Sequence, residues 1–170
     1  GREETTTFTL IPMVKEKIKI PLIAAGGIAT GRGMLAAMVL GADGVQVGSR
    51  FAASVESSAH ENFKNKILET KEGETQVTLK ELAPVRLIKN KFYQDVQDLY
   101  KKCPTKEQLA TLLGRARAKH GMFEGDLDEG ELEIGQIAGL IDKIIPAAEI
   151  IEEMITDYNL ARKEVEKFNF

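Results

Sequence analysis

Between residues 20 and 51 the chain alternates apolar runs with glycine-rich breaks. Residues 20–25 form a near-continuous apolar run ending in Gly26 and Gly27, the pattern of a parallel-sheet strand covered on both faces. Ala29-Thr30-Gly31-Arg32-Gly33 leads into a small-residue helix over 34–40, stopped by Gly41, and residues 44–51 read as a second strand that meets Gly48 and Ser49. Gly48 follows Gly26 by 22 positions, enough for loop, helix, turn and returning strand in a parallel crossover. Upstream, Thr5, Thr6 and Thr7 offer capping hydroxyls, and Leu10, Ile11, Val14 and Ile18 follow a helical stripe that closes in lysines. Because Pro12 suits a first turn, the regular part of that helix is expected to begin near Ile11.

Downstream the period changes. Ser58 and Glu61 have capping-box spacing before a helix with Phe63, Ile67 and Leu68 on one face. Residues 75–79 alternate as a strand does, and 84–90 form a second extended stretch. Beyond Phe92 the pattern stays helical, through Val96, Leu99 and Tyr100 and then a helix capped by Thr105 and Gln108. A glycine-punctuated acidic loop over 121–130 precedes a last helical pair broken at Pro146. The final helix is expected to pack through Ile151, Met154, Ile155, Tyr158, Ala161, Val165 and Phe168.

Composition narrows the partners more than the fold. With 170 residues, 43% hydrophobic and 29% charged, the chain suits one well-buried globular domain. A net charge of −3 provides no basic field for nucleic acid, and no run approaches bilayer-spanning length. The expectation is a soluble, cytoplasmic protein with neither nucleic acid nor membrane as partner. Cys103 is the single cysteine, so intramolecular disulfides and cysteine zinc clusters are excluded. The chain opens at Gly1 with no initiator methionine or signal peptide and reads as the inside of a larger protein.

The chemistry suggested by the sequence lies in the glycines. Residues 27–33 have the spacing G-x-x-x-G-x-G, which is neither the dinucleotide fingerprint nor a nucleotide P-loop. Any one of these glycines serves a tight turn equally well. Two strand-end clusters one crossover apart instead favour a phosphate-bearing cofactor, because glycine backbones let N–H groups approach a ligand closely. Phosphate sites at successive late strands recur in (β/α)8 barrels, and Ser49 would add a hydroxyl. Asp126, Asp128, Gly130, Glu131 and Glu133 match a cation loop poorly and fit a solvated acidic turn better. His60 would serve as an acid if it came within reach of a cofactor, but a solvent-facing or capping role is the simpler reading; His120 looks like a helix terminus. Arg86 lies in a segment that would return toward the strand ends, and alone it adds little.

Residues 21–51, with Ile-Ala-Ala-Gly-Gly-Ile and Val-Gln-Val-Gly-Ser-Arg-Phe, resemble the phosphate-binding half of an FMN-dependent TIM barrel. Glu56-Ser57-Ser58-Ala59-His60, Pro84-Val85-Arg86 with Lys89-Asn90, the acidic stretch 125–130 and Gly135-Gln136-Ile137-Ala138-Gly139-Leu140-Ile141 narrow the match. Together they resemble the nitronate monooxygenase (2-nitropropane dioxygenase-like) family, and within it the flavin-type, class II enoyl-acyl carrier protein reductases. The resemblance implies an α/β fold: the C-terminal portion of a TIM (β/α)8 barrel in residues 1–91, followed by a helical region in 92–170 packing on it. It implies FMN as cofactor, with phosphate binding at Gly26, Gly27, Gly48 and Ser49 and with Ala25 and Gln46 as near neighbours. It also implies NAD(P)H as reductant if the enzyme is a reductase, and a small-molecule or acyl-carrier-protein-linked substrate. The family's catalytic histidine would lie just before Gly1, so no catalytic residue is assigned and the 170 residues alone are expected to be inactive. A missing barrel half or a second copy would cover the open sheet edge. The alternatives are oxidation of alkyl nitronates with oxygen, and a non-catalytic phosphate-ligand or interaction module.

Overall fold

The computed structural model describes residues 5–168. Helix α1 (Thr7–Lys15) is followed by β1 (Ile23–Ala25), α2 (Gly31–Val39) and β2 (Gly44–Gln46). The strands run parallel, with Ile23 opposite Gly44, Ala24 opposite Val45 and Ala25 opposite Gln46. Ile11, Ala24, Ile28, Ala37 and Ala42 fill the space between this pair and its helices. Asp43 ties the layer together: its carboxylate accepts from the Leu22 N–H at 2.8 Å and pairs with Lys15 at 2.7 Å.

Three expectations change in this region. Helix α1 begins at Thr7, so Pro12 stands inside it without a backbone donor; Thr6 occupies the N-cap but makes no side-chain cap bond. The apolar run from residue 20 becomes a strand only at Ile23, and just one face of the sheet is covered. Ala24 is buried, whereas Ile23 is 55% exposed and Ala25 and Gln46 are open. The second strand stops at Gln46, and Ser49–Ala52 form a short helix, α3.

Helix α4 (Glu61–Glu69) is capped by His60, whose Nδ1 accepts from the Asn62 N–H at 3.1 Å; the expected Ser58–Glu61 box does not form. Strands β3 (Thr75–Thr78) and β4 (Val85–Ile88) make an antiparallel hairpin. The 132–134 segment adds to its edge, with Ile88 N–H donating to Leu132 O and Ile134 N–H to Arg86 O. Alternation along β4 serves two cores. Leu87 packs with Leu79, Phe92, Val96 and Leu109, while Ile88 packs with Phe63, Ile67, Leu132 and Ile134.

Helices α5 (Lys91–Tyr100), α6 (Lys106–Leu113) and α7 (Arg117–Met122) follow, and the Thr105–Gln108 capping box forms as expected. In the acidic loop the Asp126 carboxylate accepts from the backbone of Asp128 and Glu129, so it shapes a turn. The first member of the anticipated helical pair is a 3-10 turn (Gln136–Leu140), and the second is α8 (Ala147–Val165). The stripe on α8 is rotated from the expected one: Ile150, Met154 and Ala161 are buried, while Ile151, Ile155, Val165 and Phe168 are about half exposed or more. Helix α8 lies against the start of α2, where Asp157 accepts from the Arg32 N–H at 2.7 Å and Glu164 pairs with the Arg32 guanidinium at 2.7 Å. Among the described residues no helix is long and apolar enough to cross a membrane.

Candidate functional site

Strand β1 turns out of the sheet through Gly26 and Gly27, at φ +95° and +73°, a conformation that favours glycine. The space beside them is open. A Cβ on either would find only the Thr7 hydroxyl, at 3.8 and 3.9 Å. Thr7 Oγ1 donates to the Gly26 carbonyl at 2.8 Å, pinning the loop to the first turn of α1. Beyond β2, Gly48 has an ordinary negative φ of −104°, and a Cβ there would meet nothing within 4 Å. Ser49 opens α3, and its Oγ accepts from the Gly135 N–H at 3.1 Å, leaving the hydroxyl proton to donate elsewhere.

These positions line two adjoining clefts. One, of about 580 Å³, is walled by Thr5 to Phe8, Gly26, Gly27 and the hairpin. The other, of about 470 Å³, is walled by Gly48, Ser49, Ala52 and Glu133. Both include Arg86 and Gly135. Four of the six residues expected from sequence are therefore brought together: Gly26, Gly27, Gly48 and Ser49. Ala25 and Gln46 face one another across the strand pair, are exposed, and line neither cleft.

Thr7, Gly135 and Gln136 join the site without having been singled out for it. Thr7 stood out only as a helix start, and Gly135 reaches Ser49 across 86 positions, with no local pattern to announce the contact. His60 is absent from both clefts and spends Nδ1 on its cap. His120, in the last turn of α7, bonds Glu124. Residues 1–4, where the expected continuation of a histidine-containing motif would fall, lie outside the described residues. One strongly displaced acid is also outside the clefts: burial, aided by Glu133 and opposed by Arg117, pushes Glu131 up to about 7.

A phosphate fits this arrangement. Peptide groups of two strand ends border space that side chains would fill, and the cleft that Glu133 lines also carries the Arg86 guanidinium. Geometry thus defines an α/β protein with open clefts at the ends of adjacent parallel strands. The chain belongs to the nitronate monooxygenase family, whose sequence pattern matches residues 1–157. A probable nitronate monooxygenase of Staphylococcus saprophyticus is 40% identical over 119 residues, covering 68% of this chain and 34% of that protein. A Staphylococcus aureus protein described in the same words is 37% identical over the same shares.

Among solved structures, FabK from Thermotoga maritima is 39% identical with a TM-score of 0.87, covering 96% of this chain and 52% of its own. A nitroalkane oxidase from Streptomyces ansochromogenes is 27% identical with a TM-score of 0.73, covering 94% and 45%. The chain thus spans about a third of the curated relatives and about half of the structures it matches. Its fold is part of a TIM barrel.

Proposed function

We propose that this chain supplies the phosphate-holding part of an FMN-dependent oxidoreductase of the enoyl-acyl carrier protein reductase type, working with NAD(P)H. The observation that carries the reading is the convergence of Gly26, Gly27, Gly48 and Ser49 on open space beside their own backbones. The backbone N–H groups there would hold the phosphate, Ser49 would donate its hydroxyl proton to it, and Thr7 keeps the first loop in place through the Gly26 carbonyl. When bound, the flavin supplies the redox chemistry, either hydride delivery to an enoyl thioester or reaction with oxygen during nitronate oxidation. The residues of these clefts would anchor it through its phosphate. Because one face of the strand pair is bare, activity belongs to the assembled barrel, whether its other strands come from the same polypeptide or another.

The likeness to FabK favours the reductase; the descriptions of the curated relatives favour nitronate oxidation as the second reading. Assay of the assembled protein loaded with FMN decides between them. Consumption of NADH or NADPH that depends on an enoyl thioester is the expected result. Oxygen uptake with an alkyl nitronate and no thioester-dependent turnover would replace it with the second reading. Failure to bind flavin at all would leave a non-catalytic phosphate-ligand module.

A further inference from the structure

Among the described residues Arg86 is the one cationic side chain lining the two clefts, and it belongs to both. Its backbone is fixed on each side, by pairing with Val77 in β3 and by the Ile134 N–H, which donates to its carbonyl at 3.1 Å. Nη1 donates to the Thr75 carbonyl at 3.2 Å and to Thr75 Oγ1 at 3.3 Å, which orients the guanidinium. Nε and Nη2 have no hydrogen-bond partner among the described residues. No carboxylate among those residues forms an ion pair with Arg86, although Glu133 lines the second cleft. A half-buried, pre-oriented guanidinium with an open edge suits an anion presenting two oxygens. The glycine loops supply donors but no formal charge, so among the described residues lining the clefts Arg86 is the group that would balance a dianion held there.

We propose that Arg86 binds the phosphate of the flavin mononucleotide, closing from the hairpin side the cradle made by Gly26–Gly27 and Gly48–Ser49. This rests on the flavin reading above. It makes cofactor retention depend on the β3–β4 hairpin as well as on the barrel strands, and it selects phosphorylated flavin over riboflavin.

The test compares FMN with riboflavin, which has the same ring and no phosphate, by fluorescence titration of the wild-type protein and of Arg86→Gln. The variant should weaken FMN about ten- to a hundredfold, as expected for loss of a charge-assisted hydrogen bond, with riboflavin affinity unchanged. Unchanged FMN affinity, or equal weakening for both flavins, overturns the assignment. A second measurement needs no variant: FMN, but not riboflavin, should protect Arg86 of the wild-type protein from phenylglyoxal, read by peptide mass spectrometry. Equal labelling under both flavins overturns the assignment even if Arg86→Gln does not fold. Wild-type protein that binds neither flavin overturns the cofactor reading and this assignment with it, whereas FMN binding indifferent to Arg86 overturns this assignment alone.

Discussion

Glu131 is 6% exposed, with its charged form disfavoured first by burial and then by Glu133. Its carboxyl rises from an ordinary value of 4.5 to about 7 in the folded protein. Between those values the unfolded chain releases this proton while the folded chain retains it, so the group makes stability fall as pH rises through that window. Glu131→Gln should remove this slope, leaving the variant more stable than wild type above about pH 7 and little changed near pH 4. Denaturant melts across that range check it; parallel wild-type and variant profiles would contradict it. The glycines show what single residues disclose in sequence. Gly26 and Gly27 announce a turn, and their positive φ confirms the need for glycine, but nothing local reveals that Gly48, at an ordinary negative φ, borders open space. Arg86 could not be weighted either, because its value depends on two clefts built by distant segments.

Elements were legible where their cause is local. The Thr105–Gln108 box forms because both partners lie within one helical turn. Ser58 and Glu61 have the same spacing, yet His60 takes the N-cap and its ring nitrogen does the capping. The orientation of α8 was not legible, because Ile150 and Ile151 are equally apolar and only the neighbouring helix selects one. That contact is close: a Cβ on Gly31 would fall 2.0 Å from the Met154 carbonyl oxygen and 2.2 Å from the Tyr158 nitrogen. Both are backbone atoms and cannot rotate away. Gly31→Ala should therefore push α8 from α2 and cost about 1–3 kcal/mol or more, despite alanine's better helix propensity. Thermal unfolding provides the measurement, and a variant as stable as wild type would show that the helices are not in contact.

At the scale of the molecule, the strand–helix–strand unit was readable because hydrophobic runs and glycine stops record it directly. Coverage of the sheet was not, since an apolar strand looks the same whether its second face meets helices or other strands. The placement of Gly135 beside Ser49 likewise arises from the return of the 132–134 segment along β4, a long-range pairing without a sequence period. These contacts bring the ends of two parallel strands and a hairpin around two adjoining clefts. Gly48→Val probes it most cleanly. Gly27 sits at positive φ, so valine there adds backbone strain of about 1–2 kcal/mol, whereas Gly48 has negative φ and open space within 4 Å of the added Cβ. Titration of FMN into wild-type and Gly48→Val protein, with unfolding temperatures recorded alongside, should show at least about a tenfold loss of affinity at nearly unchanged stability, since an unmade charge-assisted contact has that cost. FMN bound equally well by both proteins would contradict the assignment of these strand ends to the cofactor's phosphate.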